Sequence, residues 1–165
     1  MRLIVEHLSK SHDRKGFDSS DESVDLFLRH KALQDHNLDL SRTYVLIDTD
    51  LDSDTILGYY TITPIHIPQD VLLNDKPRIK REIPAILLGQ LGVDVGFHKR
   101  GFGQLLLLHA ESTARFASEI VGIRAIILDA RNEDLARWYS GYGYSRVGNA
   151  LRMAKRIEVI RRQNV

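Results

Sequence analysis

The chain has 165 residues, enough for one domain with a sizeable core and too few for two ordinary ones. Its 43% hydrophobic and 27% charged residues strike a globular balance, and the lack of cysteine excludes disulfide scaffolds, thiolate zinc sites, iron–sulfur clusters and a Cys nucleophile. A formal charge of +1 does not indicate a strongly basic nucleic-acid binder, yet residues 1–60 carry seven Lys/Arg against twelve Asp/Glu while residues 61–165 carry sixteen against ten.

Residues 2–8 read as a short strand, and Glu6 interrupts the apolar stretch a signal peptide would need. No apolar run approaches the roughly 18 residues of a membrane span, so no membrane partner is expected, and the lack of cysteine fits a reducing cytoplasm, the expected location. Ser9–Asp18 is polar, contains Gly16 and reads as a loop. Ser19 with Glu22 three residues later forms a capping box, and Val24, Phe27, Leu28 and Ala32 follow at helical spacing, which predicts a helix near 20–36. Arg42–Asp48 is β-rich. The acidic turn Asp48–Asp54 lacks the glycine and the closing glutamate of a calcium loop. Thr55–Ile67 is a second β-rich run, which makes 43–67 a hairpin.

Pro64, Pro68 and Pro77 punctuate the next stretch, and Lys76-Pro77-Arg78-Ile79-Lys80-Arg81 is a basic loop. Ala85–Val95 is nearly continuous in apolar or small residues, as in a strand buried on both faces. A helix starts at about Gly101. Gly103, Leu106, Leu107, Ala110, Ala114, Ala117 and Val121 form its apolar stripe, with Glu111, Arg115 and Glu119 on a polar face. Arg124–Ala130 holds a short buried strand, Glu133–Ser140 a short helix ended by Gly141, and Tyr142–Val147 a strand. Gly148-Asn149 is a turn, and 151–160 is the last β-rich run. The order β-α-β-β-β-α-β-α-β-β, with no repeat and no linker, predicts a single α/β domain over 1–165.

The chemistry concentrates where the strand at 85–95 passes through Gly96-Phe97-His98-Lys99-Arg100-Gly101-Phe102-Gly103 into the long helix. The first N–H groups of a helix lack partners and sit at the positive end of its dipole, so such a junction attracts anions. Gly101 and Gly103 carry no Cβ and would let a phosphate approach the backbone, or they merely shape the turn. A dinucleotide fingerprint needs a third glycine where Leu106 stands, and a P-loop needs Lys-Ser/Thr where Gln104-Leu105 stands. The seven histidines show no metal-binding spacing, and no metal is expected.

His98-Lys99-Arg100-Gly101-Phe102-Gly103 resembles the Arg/Gln-x-x-Gly-x-Gly/Ala loop of the GCN5-related N-acetyltransferases. Asn132, Ala136, Trp138, Tyr139, Gly143 and Tyr144 resemble that family's Asn-x-x-x-Ala-x-x-Phe-Tyr-x-x-x-Gly-Phe segment. The likeness is close over 85–148. A narrower one to the acetyltransferase toxins of bacterial toxin–antitoxin modules lies in Gly16-Phe17-Asp18, Leu26-Phe27-Leu28, Gly58-Tyr59-Tyr60-Thr61 and Pro84–Asp94. Three positions depart from the pattern: His98 stands for Arg or Gln, Ser19 for a frequent Cys, and Gln90 for Arg.

The resemblance implies a central mixed, mostly antiparallel sheet of about six to seven strands flanked by about four helices. It implies acetyl-coenzyme A as cosubstrate, an amine acceptor such as the α-amine of aminoacyl-tRNA, a ribbon-helix-helix antitoxin and a homodimer. It counts His98 in the coenzyme-binding loop and assigns the coenzyme diphosphate to the amides of Lys99, Arg100, Gly101, Phe102, Gly103 and Gln104. It places the pantetheine arm along Leu91-Gly92-Val93, gives Asn132 a coenzyme-binding role, and makes Tyr139 the general acid. Gly92 either brings the ligand close or relieves packing. Asp94 and Glu82 are open candidates for a base, and an α-amine near pKa 7.7–8.0 has little need of one. The basic loop 76–81 and the tail cations Arg152, Lys155, Arg156, Arg161 and Arg162 are either solvated surface or contacts to the coenzyme 3′-phosphate or an RNA backbone. A metabolite or protein-N-terminus acetyltransferase and a non-catalytic acyl-coenzyme-A-binding module fit the same residues.

Overall fold

Runs of β-branched and aromatic residues alternate with helical stripes along the chain, and the computed structural model, which describes residues 1–72 and 74–158, turns them into a seven-stranded sheet. The strands are β1 (Leu3–His7), β2 (Arg42–Asp48), β3 (Gly58–Ile67), β4 (Ile83–Val93), β5 (Ala125–Asp129), β6 (Ser145–Arg146) and β7 (Arg152–Arg156), in the sheet order β1-β2-β3-β4-β5-β7-β6. Pairings β1–β2, β2–β3, β5–β7 and β6–β7 are antiparallel. The helices are α1 (Glu22–Phe27), α2 (Leu33–Asn37), α3 (Phe102–Val121) and α4 (Glu133–Ser140), with a π-helical turn Leu28–Ala32 joining α1 to α2. Among the described residues no helix is long and apolar enough to cross a membrane. Residues 159–165, with Arg161, Arg162 and the end of the predicted run 151–160, lie outside the described residues.

The chain packs as two compact units, 1–63 with 88–110 and 64–87 with 111–165. In the first, one register fixes which side chains share a face: Val45 lies opposite Tyr59, and Tyr44 opposite Tyr60. Val45, Ile47 and Tyr59 pack with Phe17, Val24, Leu28 and Ala32 in one apolar cluster, in which each buried Val, Ile, Leu or Phe side chain contributes about 1.5–3 kcal/mol. The Tyr59 hydroxyl donates to the Val24 carbonyl at 2.6 Å, which satisfies a polar tip inside that cluster. The helix starts later than the capping box suggests. Asp21, and not Ser19, is the N-cap, accepting from the N–H groups of Ser23 and Val24. Ser20 takes a left-handed φ of 67°, and the Ser19 hydroxyl turns to Asp25 at 2.6 Å.

In the second unit Ile67, Leu72, Ile83, Ala85, Ala125, Ile127 and Ala154 form the apolar cluster. Three expectations are corrected here. Glu111 does not lie on a solvated face: it is 8% exposed and accepts both oxygens' bonds from Lys155, at 3.0 and 3.1 Å. Val121, assigned to the apolar stripe, is 70% exposed at the end of α3. The strand predicted over 142–147 shrinks to β6, because the N–H groups of Tyr142 and Gly143 donate to the carbonyls of Tyr139 and Ser140 at the end of α4.

Candidate active site

Strand β4 is buried over its first half, but Gly89 is exposed and Gln90, Leu91 and Val93 are half-buried. The expectation of burial on both faces therefore fails where the chain nears the glycine turn. Gly92 is the buried exception. A Cβ there would come within 2.7 Å of Val24 Cγ1 and 3.6 Å of Phe17 Cζ. Of the two readings open to it, packing relief against its own unit accounts for this glycine.

Past Val93, Asp94 holds the chain in place. Its carboxylate accepts from the N–H groups of Asp18 at 3.0 Å and Gly96 at 2.9 Å, so it braces the turn. Glu82 lines a cavity of 730 Å³ in the second unit. After the 3-10 turn Val95–Phe97, residues 98–101 are exposed, and Lys99 and Gly101 adopt left-handed φ values of 61° and 79°. Nothing lies within 4 Å of a Cβ placed on Gly101, so conformation and not crowding demands glycine there. The Gly101 carbonyl accepts from Leu105 at 3.1 Å, which makes it the first acceptor of α3 and leaves the N–H groups of Phe102, Gly103 and Gln104 without partners inside the helix. Arg100 lies 5.2 Å from the centroid of the Phe97 ring, and Phe97 stacks on Phe102 at 6.2 Å. His98 is tied back to the strand: its Nε2–H donates to the Val93 carbonyl at 2.7 Å. This arrangement of a strand end, two left-handed residues, two flanking cations and a helix N-terminus can hold a diphosphate.

The other predicted site residues, Asn132 and Tyr139, lie in the second unit on α4. Asn132 is its N-cap, accepting from Leu135 N–H at 2.9 Å, a task that sequence reasoning did not give it. Tyr139 is 8% exposed, set edge-to-face against Trp138 at 4.9 Å and Tyr144 at 5.8 Å. Burial, tempered by the charge of Arg131, pushes its phenol up to about 12. It is therefore a neutral proton donor through the physiological range. Burial, and then the Glu111 carboxylate, drive the Tyr144 phenol up as well, while Lys155 lies 5.5 Å from that ring's centroid.

Sequence reasoning missed two groupings. In the first unit the Tyr60 hydroxyl bonds His109 Nδ1 at 2.9 Å, and burial lowers the His109 pKa. In the second, a buried hub joins Gln69, Asp75 and Arg124. Neither had a local signal, since the partners stand 49 residues apart in both Tyr60–His109 and Asp75–Arg124. Among the described residues no cluster of His, Asp and Glu could hold a metal ion.

No family model matches the chain. A tRNA-acetylating toxin of Mycobacterium tuberculosis (strain ATCC 25618 / H37Rv) is 30% identical over 142 residues, 83% of this chain and 81% of the toxin. A tyrosine-to-phenylalanine variant of KacT has a TM-score of 0.87 at 25% identity, over 95% of this chain and 96% of KacT. AtaT complexed with acetyl-methionyl-tRNAfMet has a TM-score of 0.85 at 26% identity, over 93% and 94% of the two chains. A tyrosine-to-phenylalanine variant of the AtaT toxin, bound to the C-terminus of the antitoxin AtaR and to acetyl-CoA, has a TM-score of 0.79 at 27% identity, over 95% and 94%. On that sequence identity and that shared fold, the chain belongs to the family of tRNA-acetylating toxins, GCN5-related acetyltransferases of toxin–antitoxin modules.

Proposed function

We propose that the chain transfers the acetyl group of acetyl-CoA to the α-amine of an amino acid esterified to tRNA. The observation that carries the reading is the turn at 98–104, whose two left-handed residues open onto the N-terminus of α3. The relatives supply the acceptor: the similar toxin acetylates tRNA, and AtaT is found with acetyl-methionyl-tRNAfMet. In this reading 1–165 works as one acetyltransferase domain, in the cytoplasm.

Acetyl-CoA brings the acyl group and a thiolate leaving group. The amides of residues 99–104 hold its diphosphate, with the dipole of α3 behind them and Lys99 and Arg100 at the mouth. His98, fixed on the Val93 carbonyl, holds the turn against the strand end. Leu91 and Val93, half-buried and at the end of β4, offer main-chain groups to the pantetheine amides as a neighbouring strand would. An N–H of this stretch donates to the thioester oxygen as negative charge develops there. Asn132 caps α4 and so helps fix the helix that carries Tyr139.

Tyr139 donates to the departing sulfur. Full transfer from a phenol near 12 to the anion of a thiol near 8.5 is uphill by roughly 5 kcal/mol. The phenol therefore acts as a hydrogen-bond donor while the proton lost by the attacking amine restores the balance on sulfur. An α-amine near pKa 7.7–8.0 supplies a useful neutral fraction without a dedicated base, and Asp94 is occupied as a brace.

A ribbon-helix-helix antitoxin and a homodimer complete the proposal. AtaT binds the C-terminus of an antitoxin, and Phe116 and Ile120, one turn apart on α3 and 65% and 67% exposed, present an apolar patch that a partner subunit would cover. The test is labelled acetyl-CoA incubated in parallel with charged tRNA, free amino acids, polyamines and peptides. Label is expected on the aminoacyl end of tRNA. Label confined to a polyamine or peptide, or none on any amine, overturns the assignment.

A further inference from the structure

The basic loop 76–81 is unused by the reaction described above. It is built with care. Gln69, 4% exposed, donates from Nε2 to Asp75 Oδ2 at 3.0 Å and to the Pro77 carbonyl at 2.7 Å, and its Oε1 accepts from Ile79 N–H at 2.5 Å. Arg124 bonds Asp75 Oδ2 from Nε at 2.8 Å and the Lys76 carbonyl from Nη2 at 2.9 Å, and Arg156 approaches Asp75 Oδ1 at 3.4 Å. Ile79 turns inward onto the second apolar cluster, so its neighbours Arg78 and Lys80 stand exposed on either side of it, with Lys76 and Arg81 also exposed.

The cations of the second unit are unevenly matched. The second unit carries fourteen Lys/Arg against nine Asp/Glu. Arg137, Arg146, Arg152 and Lys155 each meet a carboxylate of their own, and Arg124 and Arg156 share that of Asp75. Among the described residues Lys76, Arg78, Lys80 and Arg81 form no ion pair; Arg115 on α3 forms none either, but the four stand together on one loop. Four unneutralised cations are thus held in place by backbone bonds to a buried hub.

We infer that the strap 76–81 is a phosphate-binding ridge that grips the backbone of the RNA acceptor. The inference rests on the proposed tRNA substrate and names the residues that hold the body of that substrate away from its reacting end. One phosphomonoester would want convergent donors. Arg78 to Arg81 can be strung over as much as about 10 Å, which suits a run of phosphates. Arginine's planar fork matches phosphate geometry better than a lone ammonium does.

The test uses the whole chain and the triple variant R78A/K80A/R81A, all three side chains being exposed and outside both apolar clusters. Acetylation of charged tRNA is followed against salt, beside acetylation of an amino acid methyl ester, which has the α-amine and no phosphate. The variant is expected to raise KM for tRNA at least tenfold near 0.1 M salt with kcat held. Its plot of log(kcat/KM) against log salt becomes shallower by about 2–3. The ester is turned over as before, and R78K/R81K keeps the wild-type slope. Calorimetry with coenzyme A and its 3′-dephospho form separates the other source of phosphate. A preference for the 3′-phosphate that vanishes in the variant moves the cations to the coenzyme and overturns the ridge. An unchanged tRNA slope also overturns it, including when the variant instead loses an acidic protein partner. A wild-type chain that acetylates the ester but no charged tRNA sinks the substrate reading itself, a failure visible before any variant is made.

Discussion

Gly101 and Gly122 offer a matched pair of perturbations. Both have left-handed φ, at 79° and 70°, and a Cβ at either would have nothing within 4 Å. Gly101 opens α3 by accepting from Leu105 N–H; Gly122 closes it by donating to the Ser118 carbonyl at 3.1 Å. Alanine at either site meets a left-handed penalty of about 1–2 kcal/mol, offset by about 0.4–1 kcal/mol from the smaller freedom of the unfolded chain. Both variants should therefore lose about 1 kcal/mol and melt about 2–4 °C lower. Their ligand affinities should part company. The strain at 101 acts on the residue just before the free amides of α3, and any shift of φ that eases it turns those amides. If two charge-assisted bonds to the diphosphate go, at about 1.5 kcal/mol each, the Kd for acetyl-CoA rises about 100-fold. Calorimetry with acetyl-CoA on Gly101→Ala and Gly122→Ala reads the difference directly. Equal affinities within threefold, at equal stability loss, would refute the idea that the turn at 98–104 is a main-chain cradle.

Three further outcomes are expected. Tyr139→Phe should lower kcat about 10²- to 10³-fold while leaving acetyl-CoA affinity within a factor of two, read by single-turnover kinetics beside calorimetry. Because burial lifts the Tyr139 phenol to about 12, it stays protonated up to that value. The pH profile of kcat/KM should rise as the α-amine deprotonates near 7.7–8.0 and hold level to about pH 11; a falling limb between pH 8 and 10 that Tyr139→Phe removes would contradict this. Asp75 gives an acid-side prediction. Burial alone would raise its carboxyl, but the bonds from Arg124 and Gln69 and the charges of Arg156 and Arg124 together hold it below 3.8. Its stabilisation is therefore full above about pH 4 and drains away as pH falls through the lower folded value. The melting-point gap between wild type and Asp75→Asn should be largest at neutral pH and narrow by pH 3.

Local relations were legible in the sequence. The order of the elements followed from periodicity and from stop signals such as Gly141, which does cap α4; the one departure is the helix expected near 20–36, which is broken into α1, the π-helical turn Leu28–Ala32 and α2. The cap of α1 was off by two residues because Ser19 and Asp21 both qualify as caps. The left-handed Ser20 between them decided in favour of Asp21, and no pattern announces that conformation at a serine. Glu111, Arg115 and Glu119 have one spacing, so periodicity treats them alike. Only Lys155, 44 residues further on, distinguishes Glu111 by giving it a charge to meet in the interior.

The same divide explains why the turn at 98–104 and the surroundings of Tyr139 were read so unequally. A phosphate cradle is a short-range device: a strand end, a turn and a helix start within about fourteen residues, with glycine wherever φ must be positive. The chemistry of Tyr139 is set by what surrounds it, and burial at 8% exposure does more to its proton than any residue beside it in the chain. Gly92 makes the case from the other side. Read along the strand it could serve a ligand, and only the approach of Val24, 68 positions earlier, shows that it serves the packing of its own unit. A glycine substitution there tests stability, and one at Gly101 tests binding, although the two positions are nine residues apart and look alike in the sequence.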